Sequence, residues 1–365
     1  MVVGADRSDY YLPLLKNKRV GVVTNHTGVL HDGTHLVDYL VQQKVDVKSI
    51  FAPEHGFRGN ADAGEYVKNG IDIKTGLPII SLYGKNKKPS AKQLQDIDVI
   101  LFDIQDVGVR FYTYISTLTY VIEAAAQQGK EVLVLDRPNP HDGYTDGPVL
   151  KKKWSSFVGM HEVPVIYGLT IGEYGAMVVG EGWIATKSKV KYQIVPMLNY
   201  NKTHRYKISG KPSPNLPNDK SINLYPSLCF FEGTQISVGR GTDVPFQVYG
   251  SPWNKVLTYT FTPQPNEGAK DPFLNGHLCY GENLAVQEWD LRELKLDWLL
   301  KAYETYHNPS QDFFLPNLFF DKLAGSDVLR KQIISRTPIN EIKASWKDDL
   351  EKFEKIRTKY IIYPD

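Results

Sequence analysis

The sequence lacks the features that mark disulfide-rich and membrane-spanning proteins. Its two cysteines, Cys229 and Cys279, are too few for a disulfide framework or for a zinc site with four cysteine ligands, and they are either buried thiols or partners in one bridge. No apolar run reaches the ~18 residues that a transmembrane helix requires. The residues from Met1 to Asp6 contain no basic segment followed by an apolar one, so no signal peptide is visible.

The sequence also lacks an excess of charge of either sign. Its 43 lysines and arginines are balanced by 41 aspartates and glutamates, which leaves a formal net charge of +2. Because nucleic-acid binding depends on a concentrated basic face, this balance predicts no nucleic-acid partner. The 365 residues, of which 42% are hydrophobic, are typical of a globular protein that is long enough for two domains.

Motifs that bind nucleotides or activate a serine are missing as well. The turn after the first predicted strand reads T-N-H-T-G at residues 24–28 and does not contain the G-x-G-x-x-G of dinucleotide-binding folds. The chain has neither a P-loop nor a G-x-S-x-G nucleophile elbow. His26, His31 and His35 are spaced so that they do not face one metal ion on a helix. The residues therefore predict no nucleotide cofactor and no metal.

The first part of the chain alternates between strand and helix signals. Short runs rich in β-branched residues predict buried strands at 19–24, 45–52, 77–83, 98–103, 131–136 and 191–196. Residues 163–167 are one further strand candidate. Helical patterns lie between them, at 34–43, 90–94, 113–128 and 170–181. This alternation predicts an α/β fold with a mostly parallel sheet and right-handed crossovers.

The composition and the hydrophobic pattern of the sequence change in the second part of the chain. Residues 211–218 are rich in proline and exclude regular helix. After Gly250 come alternating residues typical of a strand, at 258–262, and then three amphipathic helical patterns, at 290–306, 319–334 and 339–360. We therefore predict a domain boundary near Gly250, with a larger domain over residues 1–250 and a smaller α+β domain over residues 251–365.

Polar, chemically capable side chains follow five of the predicted strands. In chain order they are Asn25 and His26, then Glu54, His55 and Arg58, then Tyr83, then Asp103, Asp106 and Arg110, and finally Asn139. A single aspartate at a strand end is usually a helix cap or a turn residue. In a parallel sheet, however, the carboxyl ends of the strands share one edge, where ligands bind. The coincidence of these side chains predicts a functional site at that edge.

Acid–base chemistry on carboxylates is what these side chains suit best. Hydrolysis of a glycosidic bond needs a general acid and a second group for the developing charge or the attacking water. Glu54 is the predicted acid, with an ion pair to Arg58 that merely holds the loop as the alternative. Asp103, Asp106 and Glu232 compete for the second role. Participation by an acetamide of the substrate itself would need no second carboxylate.

Other side chains of this set are suited to hold a substrate. Arg110 and Arg240 can each grip a carboxylate through two parallel hydrogen bonds, although Arg110 could instead pair with Asp106 on a helix. Three asparagines offer amides to hydroxyl or acetamido groups: Asn25, Asn139 and Asn215. The remaining predicted substrate contacts are His26, His55, Arg58, Tyr83, Asp106 and Tyr112.

Long motifs extend over nearly the whole chain, from about Lys16 to Tyr363. They include A-P-E-H-G-F-R-G at 52–59, F-D-I-Q-D-V-G-V-R-F-Y-T-Y at 102–114 and L-D-R-P-N-P at 135–140. Shorter ones are found at 24–28, 81–84, 212–215, 231–234 and 237–242. Together these motifs resemble the NamZ-type exo-β-N-acetylmuramidase family.

This resemblance implies a fold and an activity. Members of the family remove a terminal β-1,4-linked N-acetylmuramic acid (MurNAc) from the non-reducing end of peptidoglycan fragments, so saccharides of MurNAc and N-acetylglucosamine (GlcNAc) are the implied partners. The resemblance also implies a Rossmann-like N-terminal domain without a nucleotide, an auxiliary C-terminal domain and no metal. It places the family's proposed catalytic glutamate on Glu54. Such proteins are usually exported, so we expect a periplasmic or secreted protein.

Two other functions compete with the muramidase. In the first, the same edge of the sheet binds a muropeptide or sugar and no bond is cut. In the second, Asp103 and Asp106 hold a metal for phosphoryl or acyl hydrolysis. The residues give no indication of the oligomeric state.

Overall fold

A seven-stranded sheet forms the larger part of the fold. The computed structural model describes residues 1–54, 56–58, 69–208 and 210–364. The strands of the sheet are β1 (Val20–Thr24), β2 (Val47–Ala52), β3 (Gly70–Ile71), β4 (Pro78–Ser81), β5 (Val99–Asp103), β6 (Glu131–Leu135) and β7 (Lys191–Val195). Their order is β3-β4-β2-β1-β5-β6-β7, and every pairing except that of β3 with β4 is parallel. The predicted mostly parallel sheet is confirmed.

Helices cover both faces of this sheet. They are α1 (Ser8–Leu15), α2 (Leu36–Gln42), α3 (Ala91–Leu94), α4 (Tyr114–Gln128) and α5 (Ile171–Gly180). Successive strand residues point to opposite faces, so Val22 packs in the layer with α1 and α2, whereas Val23 packs in the layer with α4 and α5. Strands covered on both faces must be apolar throughout, which explains why they are recognisable in the sequence.

Local signals set one end of three of these helices. A capping box joins Thr170 to Glu173 at the start of α5, and Ser90 with Gln93 forms another at α3. Gly129 ends α4 in the left-handed conformation, with φ 63°. The helices predicted at 34–43, 90–94, 113–128 and 170–181 are all present within a few residues of those bounds.

The predicted strand at 163–167 does not join the sheet. Within it, Ile166 forms isolated antiparallel bridges with Val109 and with Asp146. The segment is therefore extended and buried, as its apolar residues suggest, but its backbone pairs with loops beyond the strand ends. An apolar run of this length does not reveal which backbone it pairs with.

The second part of the chain forms a small antiparallel sheet and a group of helices. The sheet has the order β8-β10-β9, with β8 (Val248–Ser251), β9 (Tyr259–Phe261) and β10 (Cys279–Asn283). Gly281 allows close pairing with β8, since a Cβ there would lie 1.7 Å from the Tyr249 carbonyl oxygen. The predicted boundary at residue 250, which β8 spans, stays a prediction.

The helices of this part are shorter than the amphipathic patterns predicted. They are α6 (Asp219–Leu228), α7 (Asp297–Thr305), α8 (Phe319–Ala324), α9 (Val328–Ile334), α10 (Ile339–Ala344) and α11 (Lys347–Arg357). Gly325, at φ 79°, ends α8 and so divides the pattern at 319–334. Both cysteines are buried free thiols. In the described part of the chain, no helix has the length and apolar character needed to cross a membrane.

A buried ionic cluster attaches the end of the chain to the large sheet. The fully buried Lys202 ammonium lies 2.9 Å from Asp142 Oδ2 and 2.6 Å from Glu173 Oε2. The other oxygen of Glu173 accepts the backbone N–H of Ile362 at 2.8 Å. The hydroxyl of Tyr363 donates to Asp136, next to the end of β6, at 2.6 Å. Lys202 thus neutralises Asp142 and Glu173, and Glu173 in turn binds the C-terminal segment.

We expect Lys202→Met to lower the free energy of unfolding by about 3–5 kcal/mol, because Asp142 and Glu173 would remain buried without their cation. Urea denaturation at neutral pH measures this loss. The control is Lys189→Met at an exposed position, which should change stability by less than about 0.5 kcal/mol. Equal effects of the two substitutions would contradict a stabilising role for the cluster.

Candidate active site

Glu54 lies directly after β2 and is held by hydroxyl groups from two other elements. Tyr83, after β4, donates its hydroxyl to Oε1 at 3.0 Å. Thr113, immediately before α4, donates its hydroxyl to Oε2 at 2.9 Å. Glu54 is half-buried. Its carboxylate is therefore oriented from both sides while it remains open to solvent.

A second layer of side chains supports this arrangement. The Tyr114 hydroxyl lies 3.4 Å from the backbone oxygen of Glu54 and accepts an N–H of Asn25 at 2.7 Å. The Asn25 side-chain oxygen is in turn bonded to Thr27. Asn25 is fully buried, so it positions Tyr114 and does not present its amide to a substrate. Burial raises the pKa of Tyr114 well above its ordinary value, which keeps the phenol protonated as a donor.

A pocket of about 550 Å³ is lined by His26, the neighbour of Asn25 in sequence, and by residues of the second part of the chain. His26, after β1, lines it and places Nε2 2.7 Å from the Lys211 carbonyl oxygen. Tyr112 donates its hydroxyl to the carbonyl of Pro212 at 2.7 Å, so the same loop also contacts the segment before α4. The opposite wall comes from residues 242–245 and 266–268.

The polar lining of this pocket suits a ligand with many hydroxyl groups. Asn215 lies in the wall, and its amide donates to the Gly268 carbonyl at 2.6 Å. Lys211 is exposed there, and no described residue forms an ion pair with its ammonium. Apolar wall is supplied by three prolines: Pro214, Pro217 and Pro245. Mixed walls of this kind are usual in small-molecule sites.

Arg58 does not form the predicted alternative pair with Glu54. Its guanidinium lies 3.0 Å from Asp72 and 3.4 Å from Asp38, and it stacks on the Phe57 ring at 4.3 Å. Arg58 therefore fastens the loop after β2 to neighbouring acidic residues. The other predicted contact in this loop, at position 55, lies outside the described residues.

Two of the three candidates for the second carboxylate are engaged inside the fold. Asp103 is fully buried in a two-point ion pair with Arg137, at 2.6 and 2.9 Å, and is not accessible to a substrate. Asp106 is also buried and accepts bonds from the Gly108 N–H and the Tyr167 hydroxyl. Burial raises the pKa of Asp106 to about 6. A catalytic role for Asp103 and a substrate contact for Asp106 are not supported by these positions.

The third candidate, Glu232, lies in a separate small pocket of about 160 Å³. Its Oε1 pairs with Arg240 Nη2 at 2.8 Å and with Nε at 2.9 Å. About a quarter of each side chain is exposed, so both groups remain reachable from this pocket. The walls are otherwise mainly apolar, with Phe231 and Phe273 among them.

Arg110 was predicted to bind a carboxylate, and the structure shows that this is wrong. Its side chain is fully buried, and the guanidinium donates to the carbonyls of Pro148, Val163 and Leu323, each at 2.7 Å. Burial lowers its pKa to about 9. The predicted pair with Asp106 is not formed either. Arg110 instead joins the loops beyond the sheet to the end of α8.

Asn139 also lies outside the site. Its amide donates to the Leu169 carbonyl at 2.8 Å, and its oxygen accepts the His141 N–H at 2.7 Å. Gly108, at φ 72°, makes room for it, since a Cβ there would lie 1.8 Å from the Asn139 oxygen. Asn139 is therefore a buried turn residue.

Sequence reasoning missed two residues of the Glu54 group, Thr113 and Tyr114. Both lie in the motif at 102–114, so their position beyond a strand end was visible. We assigned them only to the start of a helix. Among the described residues no group of three or more His, Cys, Asp and Glu side chains is placed to hold a metal ion.

Comparisons with known proteins match nearly the whole chain. The family model described as exo-β-N-acetylmuramidase NamZ, N-terminal, matches residues 20–220, and its C-terminal counterpart matches residues 223–363. The peptidoglycan β-N-acetylmuramidase NamZ of Bacillus subtilis (strain 168) is 39% identical over 378 aligned residues, which cover 97% of this chain and 89% of that protein.

Two solved structures from Bacteroides fragilis NCTC 9343 share the fold. Both are described as DUF1343 family proteins. The first is 43% identical, with a TM-score of 0.91, and the alignment covers 100% of this chain and 99% of the other. The second is 28% identical, with a TM-score of 0.82 and coverages of 99% and 98%.

Arg110→Met should lower the free energy of unfolding by at least about 3 kcal/mol, since each buried carbonyl left without a donor costs about 1–3 kcal/mol. Urea denaturation measures the loss. Arg240→Met is the matched comparison and should cost less, because Arg240 and Glu232 are both partly solvated. A fully stable Arg110→Met protein would contradict the structural role.

Proposed function

We propose that this chain, which belongs to the NamZ family of exo-β-N-acetylmuramidases, is a glycoside hydrolase that releases the terminal non-reducing MurNAc from peptidoglycan fragments. MurNAc linked to GlcNAc is the smallest natural substrate of this kind. The observation that carries the proposal is the Glu54 carboxyl group, which is half-buried and oriented by two hydroxyls. It follows β2 at the same sheet edge at which His26 follows β1 and lines an open polar pocket.

Glu54 is the proposed general acid. When protonated it donates its proton to the bridging oxygen, the bond between that oxygen and C1 of MurNAc breaks, and the aglycone leaves as an alcohol. Water then supplies the hydroxyl at C1 and returns a proton to the carboxylate. Tyr83 and Thr113 stabilise the carboxylate that forms, because their hydroxyls donate to its two oxygens.

Two groups are left for the charge that develops at C1. Asp103 and Asp106 are held inside the fold, whereas Glu232 is reachable from a pocket. The acetamide of MurNAc is the other candidate, and it is always close to C1. The structure supports Glu232 over the two aspartates by accessibility alone.

Lys211 is the residue that we propose to bind the lactyl carboxylate, the group that distinguishes MurNAc from GlcNAc. It lines the same pocket as His26, and its ammonium has no ion-pair partner among the described residues. Of the two arginines first considered, Arg110 is buried in the fold and Arg240 is already paired with Glu232. An unpaired cation is the better partner for an anionic substrate group.

We further propose that the protein acts in the periplasm or as a secreted protein, within cell-wall recycling. The proposed substrate supports this location, because peptidoglycan lies outside the cytoplasmic membrane. The competing function is a sugar-binding protein that cuts no bond, and the variant described next separates the two.

Glu54→Gln should reduce turnover of the MurNAc-GlcNAc disaccharide about 10²–10⁴-fold, since it removes the transferable proton but keeps the size of the side chain. Product release measured by chromatography gives the rate, and calorimetry measures binding, which should persist. Glu232→Gln in the same assay shows whether that carboxylate also takes part. Unchanged turnover by Glu54→Gln would remove Glu54 from the mechanism, and binding without turnover in the natural protein would favour the sugar-binding function.

Lys211→Ala should reduce kcat/KM for a chromogenic β-N-acetylmuraminide about 10–100-fold, the value of a charge-assisted hydrogen bond of about 1.5–3 kcal/mol. The glucosaminide that lacks the lactyl group should be affected much less. Arg240→Ala tests the alternative arginine with the same pair of substrates. Equal losses on both substrates would show that the substituted cation does not read the carboxylate.

A further inference from the structure

The loop that carries Lys211 has no regular structure of its own. Residues 211–217 lie outside all helices and strands, between β7 and α6. Three of these residues are prolines, which have no backbone N–H to donate. The hydrogen bonds within the loop run from the backbone N–H groups of Asn215 and Leu216 back to Ser213. The position of Lys211 therefore depends on the side chains that hold the loop from outside.

Two side chains from the sheet edge anchor this loop through consecutive carbonyl groups. His26, after β1, places Nε2 2.7 Å from the Lys211 carbonyl oxygen. The Tyr112 hydroxyl donates to the Pro212 carbonyl, also at 2.7 Å, although the two residues are 100 positions apart in sequence. The two peptide groups that follow the Lys211 side chain are thus both fixed from the sheet edge.

Tyr112 is itself held in one place. Its side chain is buried, and its ring meets Tyr114 edge-on at 5.0 Å and Tyr225 at 5.9 Å. Burial raises the pKa of Tyr112 well above its ordinary value, and the nearby Tyr114 raises it further, so the hydroxyl stays protonated. A carbonyl oxygen can only accept, so the proton of this hydroxyl is directed to Pro212. Tyr112, predicted as a substrate contact, therefore acts on the loop as a fixed donor.

The residues next to the two anchors contact Glu54. Thr113 donates its hydroxyl to Glu54 Oε2, and the Tyr114 hydroxyl lies 3.4 Å from the Glu54 backbone oxygen. Asn25, which precedes the histidine anchor, donates to the same Tyr114 hydroxyl at 2.7 Å. Two short segments, one after β1 and one before α4, thus hold both the residue of the proposed acid and the loop. The separation between the acid and the loop is set through these segments.

We infer that Tyr112 is a positioning residue that sets substrate specificity, because it places the Lys211 ammonium at the lactyl carboxylate of a MurNAc whose bridging oxygen lies at Glu54. The inference rests on the proposed function and adds a second source of selectivity to it, the position of the loop as well as the charge of Lys211. Loss of the Tyr112 hydroxyl leaves the Pro212 carbonyl without its donor, so the loop is free to shift. Glu54 keeps its own two hydroxyl donors.

Tyr112→Phe tests this role, because it removes the hydroxyl and keeps the ring. We expect KM for the chromogenic β-N-acetylmuraminide to rise about tenfold, the value of one lost hydrogen bond, while kcat changes by less than about twofold. Tyr192→Phe is the matched control, since it removes a hydroxyl that donates to the Gly172 carbonyl, in α5, at 2.8 Å. It should change neither parameter. A fall in kcat at unchanged KM, or equal effects of the two substitutions, would overturn the inference.

A double-mutant cycle then asks whether Tyr112 acts through Lys211. In a Lys211→Ala protein the loop no longer carries the ammonium, so Tyr112→Phe should lower kcat/KM for the muraminide no further. A second, independent tenfold loss in that background would overturn the inference and assign Tyr112 a general structural role. Failure of the proposed function would look different, because the natural protein would then turn over no muraminide at all.

Discussion

The parallel pairing of β1 with β2 and β5 is the constraint on which the site depends. Thr24 pairs with Asp103, and Ala52 pairs with Ser81 on β4, so four strands end at nearly the same level. The residues that follow must then lie along one edge of the sheet. This shared level is why the hydroxyls of Tyr83 and Thr113, which are far apart in sequence, both reach Glu54.

The second part of the chain supplies most of the walls of the pocket that His26 lines at the sheet edge. Most of the pocket of about 550 Å³ is formed by residues 211–217, 242–245 and 266–268, and the sheet edge contributes His26. Long-range contacts hold these parts together. The Arg110 guanidinium reaches the carbonyl of Leu323, and Asp136 and Glu173 receive the C-terminal segment. Buried charged groups therefore help to hold the second part of the chain against the sheet.

The same edge sorts polar residues into two roles according to depth. Glu54, Tyr83 and Thr113 lie where solvent reaches at least part of the group. Asp103, the last residue of β5, is fully buried and neutralised by Arg137. A buried charge without a partner lowers the stability of the fold, so a buried carboxylate is held in an ion pair. Only a carboxylate that solvent reaches is available to a substrate.

Much of the fold was accessible from the sequence, because strands buried on both faces and capped helices leave local patterns. The buried runs gave β1, β2, β4, β5, β6 and β7, and capping residues such as Thr170 marked helix starts. The segment at 163–167 shows the limit, since its apolar residues demanded burial but did not specify a partner.

The sequence by itself determined the parallel sheet, the edge at which its polar side chains collect, and Glu54 among them, because these follow from local pattern and strand direction. Only the tertiary structure decided that Arg110, Asn139 and Asp103 are structural and that Thr113 completes the carboxylate's environment. The sequence does not distinguish a buried arginine or aspartate from an exposed one. The chemistry of such a residue depends on its burial and its hydrogen-bond partners, and these are supplied by segments far away in sequence.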